Sequence, residues 1–200
     1  MFSFYKFKPW FQRAFRWIAG DWMTPNQATL LGLVAAAAGG AFLYLGFRVS
    51  PLFFLAQPLW LMLRLVCNIL DGVLAREKGL ADTRGEVLNE LSGVVGDGLN
   101  YLPIAFFAPG GGTRALAFLV IIAAILAEMT AVLGRLATGT RRDEGPLGGK
   151  LDRGIWFGLG VTAAGIFPTA LNYAAHYLAV ILLFVVLTWL NRLRLILRSL

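Results

Sequence analysis

Residues 68–97 read NILDGVLAREKGLADTRGEVLNELSGVVGD, and their reading decides the fold. An apolar run ends at Asp71-Gly72, a short polar stretch REKGLADTRGE covers 76–86, and a second apolar run follows. Two antiparallel helices joined by a tight turn account for this, with Gly79 suited to a helix C-cap and Asp82 or Thr83 to an N-cap. At helical spacing Arg64, Asn68, Asp71 and Ala75 share one face of the first helix, and Asn89, Gly93 and Asp97 share one face of the second, with Glu86 and Glu90 beside it. Placing Asp71 level with Asn89 puts Arg64 roughly 10 Å and Asp97 roughly 12 Å further along the hairpin, at a rise of about 1.5 Å per residue. A buried Arg64–Asp97 pair is therefore expected, and with it better tolerance of exchanging the two residues than of replacing either alone.

The surrounding composition sets the solvent. Of 200 residues, 58% are hydrophobic and only 14% charged, which excludes an ordinary soluble domain. Apolar runs long enough to cross a bilayer recur at about 27–47, 52–71, 87–108, 115–137, 155–173 and 177–191. The expected fold class is an all-α integral membrane protein of six transmembrane helices preceded by an N-terminal amphipathic interfacial helix. It forms one domain over 1–200, with the interfacial helix at 1–20 and the six-helix bundle at 21–200. Phe2, Phe4, Tyr5, Phe7, Trp10, Phe11, Phe15 and Trp17 among Lys6, Lys8, Arg13 and Arg16 are the basis for the interfacial helix, which Pro9 breaks early. That pattern is not a cleavable signal. Thr24-Pro25 caps the first span, the small residues from Ala35 to Gly40 give it a packing face, and Pro58 kinks the second. The lone Cys67 permits no internal disulfide.

Lys and Arg cluster at 6–16, 76–84, 135–153 and 192–198, and only Arg48 and Arg114 fall on the opposite side. The positive-inside bias thus puts both termini and the 76–86 loop in the cytoplasm, where the basic rim meets anionic lipid headgroups rather than nucleic acid. Glu128, inside the fourth span, is expected to make an internal hydrogen bond, for which a neutral acid is one form; lining the cavity is the alternative. In the long cytoplasmic loop Arg141 and Arg142 serve sidedness, while Lys150 and Arg153, at the membrane boundary, suit a phosphate on the acceptor or lipid. His176 sits near a far-side turn and anchors no metal cluster.

Asn68-x2-Asp71-Gly72-x2-Ala75-Arg76-x8-Gly85-x3-Asn89-x3-Gly93 resembles the signature of the CDP-alcohol phosphotransferases, D-x2-D-G-x2-A-R-x8-G-x3-D-x3-D. Leu88-Asn89-Glu90 and Tyr101-Leu102-Pro103 are most similar to its YnbA-like branch. The resemblance implies transfer of a phosphatidyl or similar phospho-group from CDP-diacylglycerol or another CDP-alcohol to an acceptor alcohol, releasing CMP, at the cytoplasmic face of a bacterial inner membrane. It implies Mg2+ or Mn2+ and a homodimer. Carried over by position, Asn68, Asp71 and Asn89 are the metal positions, Asp71 the catalytic carboxylate, and Gly72, Ala75, Arg76 and Gly85 the contacts to the CDP moiety. Gly93 leaves the base position vacant, with Glu90 and Asp97 as substitutes. One ion bound as a nucleotide complex suits a single remaining carboxylate better than two preloaded ions. A family member that binds CDP-lipid or a partner without turnover is the alternative. A small transporter is a third reading, disfavoured because no inverted repeat shows.

Overall fold

Thr24 starts the first helix of the computed structural model, which describes residues 22–80, 83–139 and 145–200. The interfacial helix expected over 1–20, Asp82, Arg141 and Arg142 lie outside these residues. Gln27 N–H donates to Thr24 Oγ1 at 3.3 Å and Thr24 N–H donates to Gln27 Oε1 at 2.8 Å, a reciprocal capping box at the head of α1 (Pro25–Arg48). A 3-10 turn (Pro51–Leu55) leads into α2 (Gln57–Glu77). Pro58 lies in the first turn of α2, where its missing N–H has no intrahelical partner to lose, so it starts the helix and does not kink it. Gly79, at φ +64°, ends the segment as expected of a C-cap, and Leu80 N–H donates back to the Ala75 carbonyl at 2.8 Å. Lys78 Nζ donates to the Met23 carbonyl at 2.9 Å, which fastens the end of α2 to the start of α1.

The remaining helices are α3 (Thr83–Phe107), α4 (Gly111–Thr138), α5 (Lys150–Ile166) and α6 (Ala174–Leu197). The fifth apolar run was expected over 155–173. Its helix instead begins at Lys150, where Gly149 N–H donates to Asp152 Oδ2 at 3.2 Å, and stops at Ile166 ahead of Pro168. A 3-10 turn (Pro168–Tyr173) carries the chain into α6. Among the described residues, four helical segments are long and apolar enough to cross a membrane: Pro25–Arg48, Pro51–Glu77, Gly111–Thr138 and Pro168–Leu197. Leu30, Val34, Leu59, Met62, Ile122 and Leu183 point outward from them, a surface suited to acyl chains. The chain is an all-helical integral membrane protein.

Close approach explains the small residues. Ala35, Ala36, Gly39 and Gly40 of α1 are buried against α2 and α3. A Cβ on Gly40 would overlap the Leu99 carbonyl oxygen, and one on Gly39 would lie 3.0 Å from Asn100 Oδ1. Asn100 Oδ1 also accepts from Gln57 Nε2 at 3.3 Å, a buried polar bridge between α2 and α3. The largest apolar cluster, including Leu43, Phe54, Leu61, Tyr101, Phe157 and Val185, fills one end of the bundle. Met23, Ala28, Leu70 and Leu74 form a second cluster at the other end of α2.

Arg64 lies between these clusters along α2, and a chain of buried ions starts there. Arg64 Nη2 donates to Asp97 Oδ1 at 2.6 Å and to the Gly93 carbonyl at 2.9 Å, the pairing expected from helical rise. Asp97 Oδ2 accepts from Arg153 Nη2 at 3.0 Å, and Arg153 Nη1 donates to Glu128 Oε1 at 3.2 Å. Glu128 also accepts from Arg192 Nη1 at 3.4 Å, so it makes the internal hydrogen bonds expected of it, to two guanidiniums. Five helices, α2, α3, α5, α4 and α6, are thereby joined in one polar layer. Removing one partner of such a buried pair strands the other charge.

Two predictions follow the packing. Gly40→Ala, which forces the α1 and α3 backbones apart, lowers stability by about 1–3 kcal/mol, whereas Gly112→Ala, with nothing near its missing Cβ, leaves it within about 0.5 kcal/mol; thermal unfolding in detergent measures both. Arg64→Met and Asp97→Asn each cost about 3–5 kcal/mol. The exchange of Arg64 and Asp97 does no better than either, contrary to the expectation from an isolated pair, because an arginine at 97 would face Arg153. Recovery of the wild-type melting temperature by the exchanged protein would contradict this.

Candidate active site

The signature residues meet at the helix ends joined by the 76–86 turn. A polar cavity of about 730 Å³ opens there between the start of α1, the end of α2, the start of α3 and the end of α4. Asp71, Gly72, Ala75 and Arg76 form one wall, Gly85, Asn89 and Glu90 the facing one. Asp71 is buried on the inner wall: its Oδ1 accepts from its neighbour Gly72 N–H at 2.6 Å and from Asn89 Nδ2 at 3.5 Å. Its Oδ2 accepts from Thr29 Oγ1 at 3.2 Å. The structure thus brings Asp71 and Asn89 side by side across two helices, with both glycines of the motif on the same cavity.

Not every expected residue reaches the cavity. Asn68 lies one turn deeper on α2, and its buried Nδ2 has no hydrogen-bond partner among the described residues. Gly93, one turn past Asn89, is buried below the cavity floor. Of the two substitutes for its missing carboxylate, Glu90 lines the cavity, whereas Asp97 is locked between Arg64 and Arg153. Arg153, expected at a phosphate, is 1% exposed and spends its guanidinium on Asp97, Glu128 and the Gly148 carbonyl. Lys150 stands apart from the cavity lining, over the face of Gly93.

Sequence reading missed four cavity residues: Asn26 and Thr29 from α1, and Arg84 and Arg135 from the rim. Asn26 and Thr29 are polar side chains opening an apolar span, the one signal in the sequence that points to them. Arg135 Nη2 donates to Glu86 Oε1 at 2.8 Å, a half-exposed pair bridging α4 and α3 at the mouth. Such a pair contributes about 0–1 kcal/mol and serves the rim's shape more than stability.

The donor set fits a hard divalent cation. Asp71 offers one carboxylate and Asn68 and Asn89 offer amide oxygens, and the assigned orientation of each amide turns over at small cost in such a site. Among the described residues no group of three or more His, Cys, Asp or Glu side chains forms a preloaded metal centre.

The fold is one already known. Three solved structures of phosphatidylinositol phosphate synthase (PgsA1) from Mycobacterium tuberculosis superpose over most of the chain: with CDP-DAG bound (TM-score 0.73, 21% identity, 93% of this chain and 92% of that one), with manganese and citrate (0.71, 20%, 94% and 88%), and in apo form (0.69, 22%, 91% and 95%). No family model matches the chain. The inner membrane protein YnbA of Escherichia coli (strain K12) is 32% identical over 196 residues, covering 96% of this chain and 95% of that protein. The chain belongs to the CDP-alcohol phosphotransferase family, in its YnbA-like branch.

Mn2+ binding tests the donor set. Asp71→Asn weakens Mn2+ binding in the presence of CDP by about 10–100-fold, read by electron paramagnetic resonance of the purified protein, while Glu86→Gln at the rim leaves it unchanged.

Proposed function

We propose that this protein is a membrane CDP-alcohol phosphotransferase that works with a reduced metal set. It moves a phosphatidyl or similar phospho-group from a CDP-linked lipid to an acceptor hydroxyl in phospholipid synthesis. The observation that carries the reading is the convergence of Asp71, Gly72, Ala75, Arg76, Gly85 and Asn89 on one polar cavity. Binding of CDP-DAG and of manganese by the structurally similar phosphatidylinositol phosphate synthase supports a CDP-lipid donor and a divalent ion here.

The chemistry follows from the side chains. Gly72 and Gly85 let the diphosphate approach the helix backbones, and Arg76 and Arg84 offer it guanidinium donors. Asp71 and Asn89, with Asn68 one turn deeper on α2, would hold a Mg2+ or Mn2+ ion, which would supply neutralisation of the diphosphate charge. The acceptor oxygen attacks the lipid-side phosphorus, the bond to the CMP oxygen breaks, and the acceptor proton passes to a carboxylate. Glu90 is the residue assigned to that proton. It is on the cavity wall, and helical side chains lean toward the N-terminus, which here is the cavity side. Asp97 has no such role while both its oxygens serve arginines.

The same reading puts six spans in the bilayer. α3 and α5 are the two added to the four long apolar segments, and α5 is 17 residues long. Arg76, Lys78, Arg84, Arg135, Arg192, Arg194 and Arg198 gather at one end of the bundle and Arg48 and Arg114 at the other, which supports cytoplasmic termini and a cytoplasmic site. The family suits a homodimer, while the small-residue face of α1 is taken up within the chain.

Purified protein with CDP-diacylglycerol, Mg2+ or Mn2+ and a panel of acceptor alcohols is expected to release CMP. Asp71→Asn is expected to lower the rate at least about a hundredfold. CDP-lipid binding with no CMP on any acceptor would instead assign a binding role without turnover.

A further inference from the structure

Lys150 opens α5 immediately after Gly148-Gly149, and its side chain reaches back across α3. The ammonium rests on the bare α-carbon of Gly93: a Cβ built there would lie 2.6 Å from Lys150 Nζ and 3.5 Å from Cε. Gly93 is one helical turn beyond Asn89, which is on the cavity wall, so the ammonium sits directly beneath the polar cavity. The neighbouring cations show what a satisfied cation looks like in this layer. Arg64 is held by Asp97 and the Gly93 carbonyl, and Arg153 by Asp97, Glu128 and the Gly148 carbonyl. Among the described residues no hydrogen bond or ion pair holds Lys150. A half-buried ammonium left without an acceptor, under a cavity that carries a carboxylate and open space, is completed by an anion from outside the chain.

We infer that Lys150 and Gly93 form a matched pair: the ammonium takes the volume that a side chain at 93 would fill, and from there it binds a phosphate of the nucleotide diphosphate. This rests on reading the cavity as a CDP site and specifies how that site is neutralised. The ammonium adds a third cation, from below the cavity, to the guanidiniums of Arg76 and Arg84 on its wall. Lysine suits the position because it carries a compact charge on a flexible stem. A carboxylate at 93 would meet Nζ at once and consume the charge.

The test is CDP binding to the full-length protein in detergent micelles with Mn2+ present, read by isothermal titration calorimetry, with cytidine as the phosphate-free control. Lys150→Met is expected to weaken CDP binding about tenfold or more, as the loss of one charge-assisted hydrogen bond does, and to leave cytidine binding unchanged. Gly93→Ala moves only the far end of a flexible side chain, so the fold persists and a smaller loss is expected. Gly93→Asp is expected to weaken CDP binding as much as Lys150→Met, and the double variant no further, because both changes remove the same charge. CDP affinity indifferent to Lys150→Met, or losses that add in the double variant, would overturn the inference while leaving the nucleotide site standing. Wild-type protein that binds no CDP would overturn the site and the inference together. Absence of CMP release with CDP binding intact would overturn the proposed activity alone.

Discussion

The structure depends on keeping charge inside an apolar bundle, and the Arg64–Asp97–Arg153–Glu128–Arg192 chain is how it does so. Each carboxylate is shared by two guanidiniums, so no anion is stranded. In a medium without water such groups persist only when paired. Once paired, they hold five helices in register more specifically than apolar packing does, because each bond has a donor, an acceptor and a length. The cavity above this layer inherits its rigidity: Asp71 and Arg64 are on one helix, Asn89 and Asp97 on the next.

The same layer sets the chemistry available above it. It absorbs Asp97 and Arg153, which by their positions in the chain could have served substrate. The cavity is left with Asp71, Asn89, Glu90 and a rim of arginines. That cavity sits over a layer with more guanidiniums than carboxylates, an arrangement that favours an incoming polyanion.

What could be read from the chain beforehand was whatever depends on local spacing. The Arg64–Asp97 pair came from helical rise across one short turn, the Thr24 and Gly79 caps from residue chemistry, and the signature wall from intervals within a hairpin. What could not be read depends on helices distant in sequence. Arg153 and Arg192 join Asp97 and Glu128 only because α5 and α6 pack where they do, and no interval in the sequence encodes that. Lys150 meeting Gly93 is of the same kind. Local readings also failed where two were possible: Pro58 could kink or start a helix, and the 3-10 turn over Pro51–Leu55 consumed the residues that would have made it a kink. Pro168 likewise cut short the fifth helix, which apolar content alone extended to 173.

The shared carboxylates also bear on how the chain is made. Helices α2 and α3 emerge in succession and can settle Arg64 against Asp97 as a hairpin. Glu128 on α4 waits longer: Arg153 and Arg192 belong to helices synthesised after it. The last two helices therefore complete the ion chain, and a chain truncated before α5 would enter the bilayer without either of these guanidiniums beside that acid.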